Sequence, residues 1–200
     1  MTLDQFRPVA DRLLGPWVRA ADRLGLSPDG VSLFAFVAAV LAAVAFAVAE
    51  PTLYIAGAAL VLLNGWLDLV DGALAREQDV TSAGGDLLDH VLDRYADIVI
   101  IAGFTAGIDA YALGFLAVTG VLMTSYLGTQ IQAVGIGREY GGLLGRADRL
   151  ALMGIVGLVA AVYPAAIVGE FGVVALLLGV LASVGHLTAL QRFLGAWRDL

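Results

Sequence analysis

The chain contains no cysteine and no lysine. Without thiols there is no disulfide framework and no thiolate metal site, so any bound metal must be held by oxygen or imidazole. Without lysine, all 11 basic residues are arginines, set against 18 acidic residues, and the net charge of −7 argues against nucleic acid as a partner. Charge is sparse: 14% of the 200 residues are charged, whereas 60% are hydrophobic, and the mean hydropathy is +0.89. Such values are too apolar for a water-soluble domain of this length and make the bilayer the expected solvent.

The apolar residues fall into runs. A helix needs about 20 apolar residues to cross a hydrocarbon core about 30 Å thick, and six segments approach that length: 31–49, 52–67, 89–108, 110–134, 150–169 and 171–190. Residues 1–30 carry charges at short intervals and no apolar run, so no cleavable signal peptide is expected there. Leu3, Phe6, Ala10, Leu13, Trp17, Ala21 and Leu24 recur at helical spacing, which predicts an amphipathic helix with breaks near Pro8 and Pro16. It would lie on the membrane surface or, alternatively, pack on the protein's own core. The chain thus divides into a juxtamembrane helix, 1–30, and a six-helix domain, 31–200.

With the N-terminus inside, the turns near Glu50, Asp109 and Glu170 lie outside and contain no basic residue, and every arginine falls inside. The positive-inside rule then places both termini and both longer loops in the cytoplasm. The expected fold is an all-α integral membrane protein, a bundle of six transmembrane helices in which short outer turns make consecutive helices neighbours.

Acidic residues within membrane spans are costly, and here they gather at one depth. Asp68 and Asp71 close the second span on its cytoplasmic side, and Asp89 and Asp93 open the third from that side. Spacings of three and four put each pair on one helix face. Four carboxylates packed together repel unless they are protonated or bridged by cations, and oxygen-only ligation suits Mg²⁺ or Mn²⁺, with room for two such ions. Gly72 and Gly84-Gly85 allow a ligand to approach the backbone, and Arg76 offers a fork suited to a diphosphate. A transporter or proton channel is the rival class, but it predicts acidic groups spread through the membrane depth, which the first, fourth and sixth spans lack.

Asp68, Asp71, Gly72, Ala75, Arg76, Gly85, Asp89 and Asp93 together resemble the signature of the CDP-alcohol phosphotransferase family, at every fixed position and spacing over 26 residues. The likeness extends over the whole chain and is closest to the archaeal branch that makes archaetidyl phosphates of glycerol or inositol. It implies a phospholipid-synthesising transferase that moves a lipid phosphoryl group from a CDP-linked lipid to an alcohol and releases CMP. On that resemblance Asp68, Asp71, Asp89 and Asp93 are metal ligands, and Asp93 is also the general base. Asp68, Gly72, Ala75, Arg76 and Gly85 bind cytidine diphosphate. A homodimer in the cell membrane, with its active site facing the cytoplasm, is likewise implied.

The segment from Gly141 to Arg149 resembles that of family branches whose acceptor is a phosphorylated polyol. Arg146 and Arg149, with Arg192 and Arg138, would hold the acceptor's phosphate; the other reading is that these arginines only enforce topology. Tyr126 is followed by Leu127, Gly128, Thr129 and Gln130 rather than by the basic residues of inositol phosphate synthases, which counts for glycerol phosphate. Serine is an alternative acceptor. The lipid tail is diacylglycerol or archaeol, and the Asp-rich, lysine-free composition together with the resemblance to sequences of salt-loving archaea favours archaeol. Asp97 is expected to pair with Arg94 or support the site, and His186 to be a packing residue.

Overall fold

The computed structural model describes residues 7–137 and 144–200, with side chains from residue 13 onward. Among the described residues seven helices form: α1 (Arg7–Arg23), α2 (Pro28–Val48), α3 (Pro51–Glu77), α4 (Ala83–Gly107), α5 (Tyr111–Ala133), α6 (Arg146–Val162) and α7 (Val173–Asp199). Their ends follow local chemistry. Ser27 caps α2 by accepting from the Gly30 amide at 3.1 Å, with Pro28 in the first turn, and Ser82 caps α4 by accepting from the Gly85 amide at 3.0 Å. Helix α6 begins four residues before the apolar run expected from 150, because the Asp148 carboxylate accepts from the Gly145 amide at 3.0 Å. It stops at Val162, short of the expected 169, because Pro164 drives Tyr163 out of the helical region, to φ −136° and ψ 80°.

Packing defines a ring. Helix α2 lies against α3 and α4, α3 against α6, α6 against α7, α7 against α5, and α5 against α4. The helices joined by the short turns near Glu50, Asp109 and Glu170 are therefore neighbours. The motif helices α3 and α4, however, make scarcely any close backbone contact with each other. Both are drawn onto α2, whose inner face is largely alanine: Ala35, Ala38, Ala39 and Ala42 are buried. Gly103 of α4 sits so close to the Ala43 main chain that a Cβ there would collide with it, and Gly185 of α7 meets the backbone of Gly120 of α5 in the same way. Asn64 of α3 donates to the Ala35 carbonyl at 2.9 Å, fixing the register of α3 on α2. The core centres on Phe46, Tyr54 and Phe104, with the Phe46 and Phe104 rings stacked 3.8 Å apart.

Helix α1 runs unbroken through Pro16. Leu14, Val18 and Ala21 are buried with Val70 and Leu74 of α3, and Trp17 meets Trp66 edge to face at 6.1 Å. Gln78 donates to the Asp22 carboxylate at 3.0 Å and to the Leu26 carbonyl at 3.2 Å, tying the end of α3 to the turn after α1. That packing holds α1 continuous where proline alone would interrupt it. Leu13, Trp17 and Leu24 remain exposed on its outer side.

Among the described residues four helices, α2, α3, α5 and α7, are long and apolar enough to cross a membrane. Their outward faces carry large apolar side chains such as Phe34, Leu41, Ile55, Leu62 and Phe115, each at least half exposed. An apolar surface this continuous has lipid as its natural solvent, and the protein is membrane-integral.

Candidate active site

The gap between α3 and α4 is where the carboxylates meet. Asp68, Asp71 and Asp89 each place an oxygen within 4.8 Å of the others. Asp71 is buried, and Ser32 of α2 donates to its Oδ2 at 2.6 Å. Among the described residues neither Asp71 nor Asp89 forms an ion pair. Two like charges about 4 Å apart repel by about 4 kcal/mol at an effective dielectric of about 20, so an all-oxygen group of this kind calls for a cation. Hard divalent ions fit its donor set, which contains no sulfur or imidazole.

Asp93 is not one of that group of three but lines a small void together with all of them. Its Oδ1 lies 2.6 Å from Arg146 Nη2, and Arg94 Nη2 lies 3.7 Å from its Oδ2. The other arm of Arg146 reaches Asp68, with Nη1 at 2.6 Å from Oδ1. Arg146 begins α6, and α6 packs on α3, which carries the guanidinium into the carboxylate cluster.

A cavity of about 490 Å³ opens beside the cluster, a size typical of small-molecule sites. Asp71, Gly72, Ala75, Arg76, Gly85 and Asp89 line it from α3 and α4, and Ser27, Asp29 and Ser32 line it from the start of α2. Asp68 does not line this cavity. It faces inward with Asp93 and Arg146, around a small void beneath. The contribution of α2 escapes a motif-based reading, although Ser32 carries a signal in hindsight, as a hydroxyl in the first turns of an uncharged span.

The remaining arginines are divided. Arg149 is buried and its Nη2 donates to Asp97 Oδ2 at 2.9 Å. Asp97 therefore pairs with Arg149 rather than with Arg94, because α6 presents Arg149 inward. Arg192 Nη1 donates to the Thr124 carbonyl at 2.5 Å, and Thr124 and Arg149 share a small recess. Arg138 lies outside the described residues. His90 Nδ1 lies 2.8 Å from the Asp86 carbonyl on its own helix, and His186 meets Thr119 across the contact of α5 and α7 at 3.3 Å.

The Asp97–Arg149 pair is closed off from water, so breaking it should be severe. Asp97→Ala is expected to destabilise the protein by about 3–5 kcal/mol, because Arg149 is left buried without a counter-charge, whereas the Asp97→Leu, Arg149→Met double variant should recover most of the loss. Unfolding in detergent micelles measures both.

The profile of the CDP-alcohol phosphatidyltransferase family matches residues 26–190. The chain belongs to that family. Among the relatives of this transferase is the archaetidylinositol phosphate synthase of Methanothermobacter thermautotrophicus, 35% identical over 205 residues, which span 99% of this chain and 95% of that protein. The crystal structure of Mycobacterium tuberculosis phosphatidylinositol phosphate synthase with CDP-DAG bound superimposes with a TM-score of 0.79 at 26% identity, covering 93% of this chain and 94% of that one. The same synthase in complex with manganese and citrate matches with a TM-score of 0.79 at 26% identity, over 92% and 88% of the two chains. This CDP-alcohol phosphatidyltransferase is thus an enzyme of phospholipid synthesis.

Proposed function

We propose that the chain transfers a lipid phosphoryl group from a CDP-linked lipid to a phosphorylated polyol, inositol phosphate ahead of glycerol phosphate, and releases CMP. The observation that carries this reading is the single cavity along which the motif's Gly72, Ala75, Arg76 and Gly85 lie beside the carboxylates of Asp71 and Asp89. Asp68, Asp71 and Asp89 would hold two divalent ions, Mg²⁺ or Mn²⁺, with Asp93 adjoining. When bound, such ions neutralise the diphosphate and stabilise the departing CMP.

The protein's own groups do the rest. Arg76 binds the diphosphate, and the glycines and Ala75 leave room for the nucleotide. Asp93 accepts the proton of the acceptor hydroxyl as its oxygen bonds to the lipid-side phosphorus. The bond from that phosphorus to the bridging oxygen breaks, and CMP leaves with the electron pair. Arg146, Arg149 and Arg192 hold the acceptor's phosphate from the other side of the cluster, with Arg138 as a fourth candidate. The synthases named above support inositol phosphate, against the weight of the residues after Tyr126. The archaeal relative supports an archaeol tail, with diacylglycerol the alternative.

The same reading takes α4 and α6 as membrane spans alongside the four apolar helices. Their 25 and 17 residues correspond to about 37 and about 26 Å of helix at about 1.5 Å per residue. Six spans then follow α1, both termini and the active site face the cytoplasm, and a homodimer is the expected assembly. The test is incubation of purified protein with CDP-archaeol or CDP-diacylglycerol, Mn²⁺ and a panel of acceptors. CMP should appear with inositol phosphate. Release with glycerol phosphate alone would change the acceptor, and release with serine or free inositol alone would remove the arginines from phosphate binding.

A further inference from the structure

The guanidinium of Arg146 is split between two helices, one nitrogen on Asp68 of α3 and the other on Asp93 of α4. Arginine–carboxylate pairs are frequently bidentate, with both oxygens of one carboxylate taken side by side; this guanidinium instead spans the cleft as a cross-link. Its Nε is buried without a partner, so among the described residues the two carboxylates alone hold it. One of them, Asp68, belongs to the three-carboxylate group. The guanidinium therefore sits where a metal centre would need positive charge.

Divalent ions bound at the cluster would change the charge balance around that position. Two divalent ions neutralise Asp68, Asp71, Asp89 and Asp93 completely, and the guanidinium then becomes surplus charge at low dielectric. Asp93 would still keep Arg94 nearby. Arg149 has no such freedom, since its departure would strand Asp97, which is 1% exposed. Arg146 and Arg149 are three residues apart, on one face of the first turn of α6, at a helix N-terminus, whose dipole favours an anion.

We propose that Arg146 is an exchangeable internal counter-cation, bridging Asp68 and Asp93 while the metal is absent and turning to a phosphate anion when divalent ions bind. The proposal rests on the metal-centre reading above. Metal and phosphate then bind with positive coupling, and each raises the other's affinity by the same factor. The acceptor pocket becomes available once the metal centre is filled.

Mn²⁺ binding to the full-length protein in detergent, read by the loss of the free-ion electron paramagnetic resonance signal, tests this without turnover. Inorganic phosphate is expected to tighten Mn²⁺ binding to the wild type about tenfold, within the usual range of coupling. Arg146→Gln should bind Mn²⁺ about tenfold more tightly than wild type without phosphate, and should no longer respond to phosphate. Arg146→Lys keeps the charge but cannot span two carboxylates, and is expected to fall between the two. Mn²⁺ affinity at or below wild type in both variants overturns the proposal, as does an undiminished phosphate response in Arg146→Gln, which would signal phosphate contacting the metal directly. A wild type that binds no Mn²⁺ overturns the metal centre as well, whereas binding that ignores the substitutions overturns this proposal alone.

Discussion

Asparagine in place of Asp93 is expected to lower the rate of CMP release by about 10²–10⁴-fold, the range contributed by a positioned general base. The substitution keeps the shape and one hydrogen-bonding oxygen but cannot take a proton. Asp93 is also the carboxylate that stands outside the group of three, paired with Arg146 and near Arg94. Its loss should therefore lower Mn²⁺ affinity far less than it lowers turnover. A single-turnover assay with saturating CDP-lipid separates the two effects. Near-wild-type turnover would remove Asp93 from its role, and a collapse of Mn²⁺ affinity with proportionate loss of rate would make it a ligand instead.

The opposite pattern is expected at Asp71. It is buried, it lies in the cleft with Asp68 and Asp89, and it has no ion pair among the described residues. Asp71→Asn should weaken Mn²⁺ binding by at least about 100-fold, beyond the 10–100-fold typical of groups that only support ligands. Turnover should fall with it and return in part at high Mn²⁺. Chelation of the wild type should abolish CMP release, and added Mg²⁺ or Mn²⁺ should restore it. Ser32→Ala offers a graded comparison. It removes the 2.6 Å hydrogen bond to Asp71 Oδ2 but leaves the carboxylate, so its effect should stay within the range of a supporting group.

Much of the site was legible in the sequence because helical spacing is a local property. Asp68 with Asp71, and Asp89 with Asp93, had to share faces once their segments were helical, and Gly72, Ala75, Arg76 and Gly85 follow in the same register. What spacing could not supply was the partner of each face. Helices α3 and α4 follow one another in the chain, yet both pack on α2, because Gly103 and the alanines of α2 permit a closer approach there. Ser27, Asp29 and Ser32 consequently line the cavity although they belong to no motif. The arginines were the hardest to read. Helical spacing places Arg146 and Arg149 together at one end of their span, but the inward turn of α6 decides that one bridges Asp68 to Asp93 and the other satisfies Asp97. Proline was misleading in α1, where contacts of Leu14, Val18 and Ala21 outweigh the break expected near Pro16.

Crystals grown with Mn²⁺ and measured at the manganese absorption edge provide the most direct test of the carboxylate cluster as a metal centre. The expected result is anomalous density between α3 and α4, within coordination distance of Asp68, Asp71 and Asp89. An active, Mn²⁺-loaded protein with no anomalous density there, or with density only elsewhere, would contradict the account.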